Sequence, residues 1–545
     1  MNNYDLKVSG NIADLKNRTF IKGTIFIKNG KIIKIVKTKN VVEKYILPGL
    51  IDSHVHIESS MLIPSEFAKI AVRHGTVGVV SDPHEIANVM GIKGIDLMIK
   101  NGKKVTFKFY FGAPSCVPAT NFETSGYNIN PEEIENLLKS DNIFFLSEMM
   151  NFPGVIYKDK EVHEKLNLAK KYNKKIDGHA PGLSGENLKK YINTGITTDH
   201  ECFSKKEALE KIKLGMKIQI REGSAAKNFK TLYELIDEYP EKVMLCTDDS
   251  HPDDLLKGHI NNIIKSGIKK NVDFFNLLQA ATLNPIKHYN LDVGLLQKND
   301  PADFIVVDDL KSFNILETYI DGKLVFKNGK SFIETIEEKE INNFKRTKII
   351  NEDIKIKNKK HKKIKVIEIV EGELITKKIS VKPKTENNFI VTDIVHDILK
   401  IVVASRYDNS KPSIGFVKNF GLKNGAIASS IAHDSHNIIA VGTNDKDIIK
   451  AINKIIELKG GIVACNKNEI EFLKLNVAGI MSNSSCEIVA EKYCKLNSFA
   501  YKLGAKLKAP FMTLSFMALL VIPELKIGDK GLFDVNKFNF TSIFE

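Results

Sequence analysis

Residues 48–60, PGLIDSHVHIESS, set two histidines, His54 and His56, directly behind the apolar run of residues 47–51. Side chains two apart on an extended segment point the same way, so both imidazoles face one point at the carboxyl end of that strand. Imidazole suits zinc, iron, nickel and manganese, and a paired presentation is the geometry of a metal site. Ligand-type residues recur behind other β-favouring runs: Glu148 in FLSEMM, His179 in DGHAPG, His200 in TTDHE and Asp248 in LCTDD.

Working outward, residues 48–290 alternate short apolar strands with helical stretches. The expected strands are LPGLID, GTVGVV (75–80), VTFKFYFG (105–112), NIFFLSE (142–148), KIDGHA (175–180), ITTDH (196–200), KIQIREG (217–223) and VMLCTDD (243–249). Between them PSEFAKIAVRHG, PEEIENLLKS, ENLKKYINTG and KKEALEKIKLG carry apolar residues at three and four spacings, as outer helices do. Eight such units predict an α/β fold, a (β/α)8 TIM barrel whose chemistry sits at the carboxyl ends of its strands. Every candidate ligand falls there.

The flanks read differently. Residues 19–37 alternate as strands around the Asn29-Gly30 turn, and PADFIVVDD with TYIDGKLVFKNGKSF repeats the pattern across residues 301–332 around Asn328-Gly329. Neither flank can bury a face alone, so 1–47 and 291–340 are expected to form one small β domain. The charged stretch 341–363 reads as a linker or exposed edge, and 364–545 is long enough for its own α+β domain. Within that last region IAHDSHN gathers His433, Asp434, His436 and Asn437 between two apolar runs, as either an active-site or accessory-metal contribution or a hydrogen-bonded turn.

Composition narrows the class. The 545 residues are 43% hydrophobic and 27% charged, as in a globular protein, and 80 Lys and Arg against 66 Asp and Glu give a net charge of +14. The run KNKKHKK (357–363) lacks the aromatic interleaving of a nucleic-acid surface and reads as solvated charge. The six cysteines are dispersed without a C-x-x-C pair, a reducing-compartment pattern. No signal-peptide core and no apolar window of about 18 residues stands out, so a cytoplasmic protein without a membrane partner is expected.

A barrel mouth holding these six residues has donors for two divalent metals. Glu148, with two oxygens, is the bridging candidate, His54, His56 and Asp248 serve one metal, and His179 and His200 the other. Asp248, able to touch the activated water, is the candidate general base and proton carrier. Glu58 and Ser59 are placed to support the histidine pair through hydrogen bonds. Asp82, His84 and Glu85 end the second strand, with His84 and Glu85 as candidates to reach substrate. Arg221 and Ser224 stand where a polar ring edge could be read, although Ser224 and Asn228 also suit a helix cap. His251 is a candidate to orient the water.

The phrases HVHIESSM, SEMMNFPGV, HAPGLSG, TTDHE, CTDDSHPDDL and IAHDSHN resemble the amidohydrolase superfamily, and within it the adenine deaminases, over essentially the whole chain. The resemblance implies hydrolysis of adenine to hypoxanthine and ammonia by a metal-bound hydroxide in purine salvage, with manganese or iron ahead of zinc. It carries the metal positions onto His54, His56, Glu148, His179, His200 and Asp248. Many superfamily members bridge their metals with a carboxylated lysine from the fourth strand; Glu148 stands there instead, a departure from dihydroorotase-like and hydantoinase-like members. Attack at C6 of adenine needs a donor at N1, for which Glu85, His84 and Glu58 are the candidates. Another cyclic-amide hydrolase or nucleobase deaminase shares the same signals, a basic nucleic-acid-binding protein and a non-catalytic homologue are the other classes, and a homodimer is the expectation from prevalence.

Overall fold

Eight parallel strands close into a ring in the computed structural model, which describes residues 4–38, 43–224, 226–359 and 362–545. They are β1 (Leu50–Val55), β2 (Thr76–Ser81), β3 (Lys108–Ala113), β4 (Ile143–Met149), β5 (Lys175–Gly178), β6 (Thr198–Asp199), β7 (Lys217–Arg221) and β8 (Val243–Cys246). One sheet runs β1-β2-β3-β4-β5 and another β6-β7-β8. The two gaps are closed by single parallel bridges, Ile176 to Ile196 and Val55 to Asp248. The expected (β/α)8 barrel is therefore present, with its last strand meeting its first at the histidine pair.

The ring belongs to the first of two compact units, Met1–Pro83, Asp96–Cys116 and Asn130–Glu337; the second comprises His84–Ile95, Val117–Ile129 and Glu338–Glu545. The barrel strands are almost wholly buried, as strands covered on both faces are. Several outer helices start on side-chain caps: Asn130 and Glu133 form a capping box around Pro131, and Asp159 and Ser204 cap the helices Lys160–Lys171 and Lys205–Lys213. Both flanks of the barrel enter one eight-stranded sheet, in which Tyr45–Pro48 lies between Leu6–Asp14 and Phe304–Val307. Alternation sorts its residues, with Ile46, Phe304 and Val306 in the sheet's own core and Leu47, Ile305 and Val307 in the core shared with Ile218, Ile220 and Leu245 of the barrel.

The second unit is built on another eight-stranded sheet, whose centre runs Ile398–Ala404, Ile438–Gly442, Ala426–Ser429, Gly461–Cys465. Helix Asp445–Leu458 covers it with Ile448, Ala451, Ile452 and Ile455, a three-and-four spaced stripe. Residues 341–363, expected as a linker or exposed edge, are in large part packed instead: Ile349 and Ile354 are buried in this core, and Ile341 pairs with Val477. Lys345, Lys348, Lys357 and Lys359 are exposed while isolated isoleucines between them anchor the segment. Of the basic run 357–363, Lys360 and His361 lie outside the described residues. No helix among the described residues is long and apolar enough to cross a membrane.

Candidate metal centre

Strand geometry brings the ligand-type side chains of the first unit to one end of the barrel. His54 is the penultimate residue of β1 and His56 follows the strand; their rings stand nearly perpendicular, at 87°, with the two Nε2 atoms 3.2 Å apart. His56 Nδ1 is bonded to the Asp82 carbonyl at 3.1 Å, which turns Nε2 toward the centre. Asp248 follows β8 with φ 57°, a left-handed conformation that costs a non-glycine residue about 1–3 kcal/mol. Its backbone is held there by its own N–H to the His54 carbonyl (2.9 Å) and by the His56 N–H to its carbonyl (3.1 Å).

Glu148, on β4, divides its oxygens. Oε1 lies 3.2 Å from His56 Nε2, while Oε2 lies 2.6 Å from His179 Nδ1 and 3.3 Å from His200 Nε2. Asp248 Oδ1 stands 3.2 Å from His56 Nε2 and 3.5 Å from His54 Nε2. Three donor groups thus overlap: His54, His56 and Asp248; His54, Glu148 and His200; His179, His200 and Glu201, each with donor atoms within 4.8 Å of one another. Imidazole and carboxylate in these numbers suit divalent first-row ions. The residues present fit a divalent metal centre, and the two oxygens of Glu148 span its histidines.

Charge is arranged to match. Burial works to raise the carboxyl of Glu148, but His179, His200 and His56 hold it well below the usual range. Burial does the same to Asp248, and the Arg221 guanidinium, with His54 and His56, holds it low. Among the imidazoles burial pushes His54 down, whereas at His179 burial is outweighed by Glu201 and Glu148, which lift it to about 9. The carboxylates that favour an imidazolium here equally favour a divalent cation.

Arg221, the last residue of β7, is committed to carboxylates: its guanidinium pairs with both oxygens of Glu201 and with Asp248 Oδ2. Glu201 was not singled out from the sequence, although it stands beside His200 in TTDHE; nothing in the spacing separates it from a surface carboxylate. Asn228 ties this side together, accepting from the Arg221 N–H (2.7 Å) and donating to the His200 carbonyl (3.0 Å). Ser224 accepts the His251 N–H at 2.9 Å and donates to Asp254 at 2.8 Å, and Asn228 precedes helix Phe229–Leu232 without capping it through its side chain. His251 itself is the residue before helix Pro252–Lys257. Ser59 donates to Asp249 at 2.5 Å, and Glu58 is buried in the turn Ile57–Ser60. His84 and Glu85 open helix His84–Met90 of the second unit, where His433, Asp434 and His436 also lie.

The chain matches the Amidohydrolase family over residues 45–325 and the Adenine deaminase C-terminal domain over residues 373–539. It is 55% identical over 543 residues to the adenine deaminase of Methanosarcina barkeri, covering 98% of each chain. With the adenine deaminase of Borreliella burgdorferi it shares 52% over 542 residues, 98% of this chain and 99% of that one. Among solved structures, an adenosine deaminase from Xanthomonas campestris with bound zinc is 14% identical over 60% of this chain and 94% of its own, with a TM-score of 0.46.

Proposed function

The chain belongs to the amidohydrolases and, along its full length, to the adenine deaminase family, and we propose that it hydrolyses adenine to hypoxanthine and ammonia at the β-strand ends that gather His54, His56, Glu148, His179, His200 and Asp248. The observation that carries this reading is Glu148, whose two oxygens address His56 on one side and His179 and His200 on the other. Two divalent ions, manganese or ferrous iron ahead of zinc, are the proposed occupants. When bound they supply the Lewis acidity that makes water nucleophilic at neutral pH.

The chain's own residues do the rest. Asp248 takes the proton released as the new bond to C6 forms, with Arg221 on its other oxygen keeping it ionised and turned toward the histidines. N1 gains a proton as the C6–N1 double bond opens, and His84, Glu85 and Glu58 are the groups proposed around the ring for that step and for holding the base. Asp248 then returns its proton to the amino group, the C6–N bond breaks, ammonia leaves, and the C6 hydroxyl gives up its remaining proton, restoring the group that protonated N1, as the C6 carbonyl of hypoxanthine forms. His251, just beyond Asp248, is proposed to orient the attacking water. The same reading has the enzyme cytoplasmic and homodimeric, acting on the free base without a nucleic-acid or membrane partner.

The test is ammonia release from adenine by metal-depleted protein resupplied with manganese, anaerobic ferrous iron or zinc, with adenosine, guanine, cytosine and dihydroorotate alongside. Adenine turnover restored by manganese or iron and abolished by Asp248→Asn supports the proposal. Turnover confined to another substrate sinks the adenine assignment and keeps the centre.

A further inference from the structure

Glu85 and the IAHDSHN loop, far apart in sequence, meet inside the second unit. Glu85 is 2% exposed, and both its oxygens are taken by imidazoles of that one loop. His433 Nδ1 stands 2.8 Å from Oε1, and His436 Nε2 stands 2.7 Å from Oε2. A carboxylate with an imidazole nitrogen beside each oxygen is held in one orientation, and an ionised one offers about four lone-pair sites, so it has room for a further donor.

The loop is built to hold these rings still. Residues 430–437 connect the antiparallel neighbours Ala426–Ser429 and Ile438–Gly442, a connection that two residues could make. Here the chain takes eight, with His436 at φ 53°, where a non-glycine residue is strained. Its N–H donates to the Ala432 carbonyl at 2.7 Å. The fully buried Arg406 guanidinium donates to the His436 carbonyl (3.3 Å) and to the Ala478 carbonyl (2.9 Å), and the Tyr407 hydroxyl donates to the Ser435 carbonyl (2.6 Å). His433 is stacked on Phe516 with centroids 4.7 Å apart and planes 12° from parallel. A buried arginine and a strained histidine are a costly way to make a turn, and what they secure is the pair of nitrogens facing Glu85. Burial acts to raise the Glu85 carboxyl, but His433 and His436 hold it well below the usual range.

We infer that His433 and His436 are positioning residues for the deamination: they act through Glu85, presenting its carboxylate in one orientation as a hydrogen-bond acceptor for an N–H of the purine. This rests on the reading of the chain as an adenine deaminase in which Glu85 addresses the ring. It also narrows that reading, because a carboxylate held ionised between two imidazoles accepts hydrogen bonds and leaves N1 protonation to His84 or Glu58.

The experiment is a double-mutant cycle in the metal-loaded, full-length enzyme. His433→Leu, which keeps the packing on Phe516 and removes only the donor, is expected to lower kcat by about 30-fold or more, with KM little changed, metal content unaltered and an intact melting transition. His433→Asn puts an amide nitrogen where Nδ1 was, and His436→Gln puts one where Nε2 was; each is expected to stay within about fivefold of the parent. In a Glu85→Ala background, His433→Leu is expected to cost less than about threefold, since its action runs through Glu85. Losses that multiply in the double variant, an asparagine variant as impaired as the leucine one, or loss of bound metal would each overturn the inference. Full turnover by Glu85→Ala alone removes Glu85 from the ring and the inference with it. A parent enzyme that releases no ammonia from adenine fails earlier and separately, on the wider proposal.

Discussion

Asp52 and Thr247 join the first and last strands of the barrel at the level of the metal centre: one carboxylate oxygen of Asp52 accepts the Thr247 N–H at 3.1 Å and the His54 N–H at 3.2 Å, and the other accepts the Thr247 hydroxyl. His259 Nε2 stands 3.0 Å from that second oxygen, and its Nδ1 is 2.7 Å from the Thr76 hydroxyl. The next residue after Thr247 is Asp248, so one buried carboxylate sets the backbone of two proposed ligands. Asp52→Ala should weaken metal retention by about 10–100-fold, the range for groups behind a ligand, and cost roughly 3 kcal/mol of stability. Metal content after dialysis against a weak chelator, with urea denaturation, checks both; wild-type retention would show that the seam does not position the ligands.

Glu148 touches the histidines on both sides of the centre, so its removal should empty both positions. Glu148→Ala is expected to bind well under one equivalent of metal and His179→Ala to keep about one, because His54, His56 and Asp248 remain intact there. Elemental analysis of reconstituted protein decides; a Glu148→Ala protein that still binds two equivalents would contradict the bridge.

Metal uptake should release protons. In the metal-free protein His179 is lifted to about 9, so at neutral pH it holds a proton that a cation must displace. Since the folded value lies above the ordinary 6.5, this group's stabilisation of the metal-free fold is complete below the unfolded value and is lost as pH rises through about 9. Apparent metal affinity should accordingly rise with pH up to about 9. Calorimetric titration in buffers of differing ionisation heat measures the proton count, and a count of zero at pH 7 would refute the prediction.

Lys526, in the second unit, carries another pH signature. It is fully buried, donates to the Leu374 carbonyl at 2.7 Å and the Phe516 carbonyl at 3.0 Å, and burial brings its ammonium down to about 7. The folded value is below the unfolded 10.5, so its favourable contribution, full above the unfolded value, is lost as pH falls through about 7. Relative to Lys526→Met, the parent should gain about 3 kcal/mol between pH 6 and pH 9. Parallel denaturation curves at the two pH values test this; a constant difference would place the charged ammonium comfortably in the fold.

Much of this was legible because barrel strands are short and apolar. Each of His54, His56, His179, His200 and Asp248 ends or follows such a run, and a strand that must be buried on both faces announces where its polar end begins. Glu201 was hidden because a carboxylate beside a ligand carries no periodicity of its own, and its pairing with Arg221 depends on two neighbouring strands in register. The clamp on Glu85 was hidden for a similar reason: its partners lie in a hairpin connection far down the chain, and polar contacts across such distances leave no local pattern. In 341–363 the lysines dominated the composition while Ile349 and Ile354 did the packing.

The ring closes where His54 and His56 meet Asp248, and that seam sets an order of events during synthesis. The histidine pair emerges from the ribosome roughly 200 residues before the aspartate that completes its ligand group, a delay of about 10–40 s at ordinary elongation rates. Until β8 is made, the pair stands on an unclosed sheet without its third proposed partner. Arrival of the last strand therefore completes the barrel and the proposed ligand group in one step, and an ion taken up there would be a late fastener of the nascent chain, holding its first strand to its last.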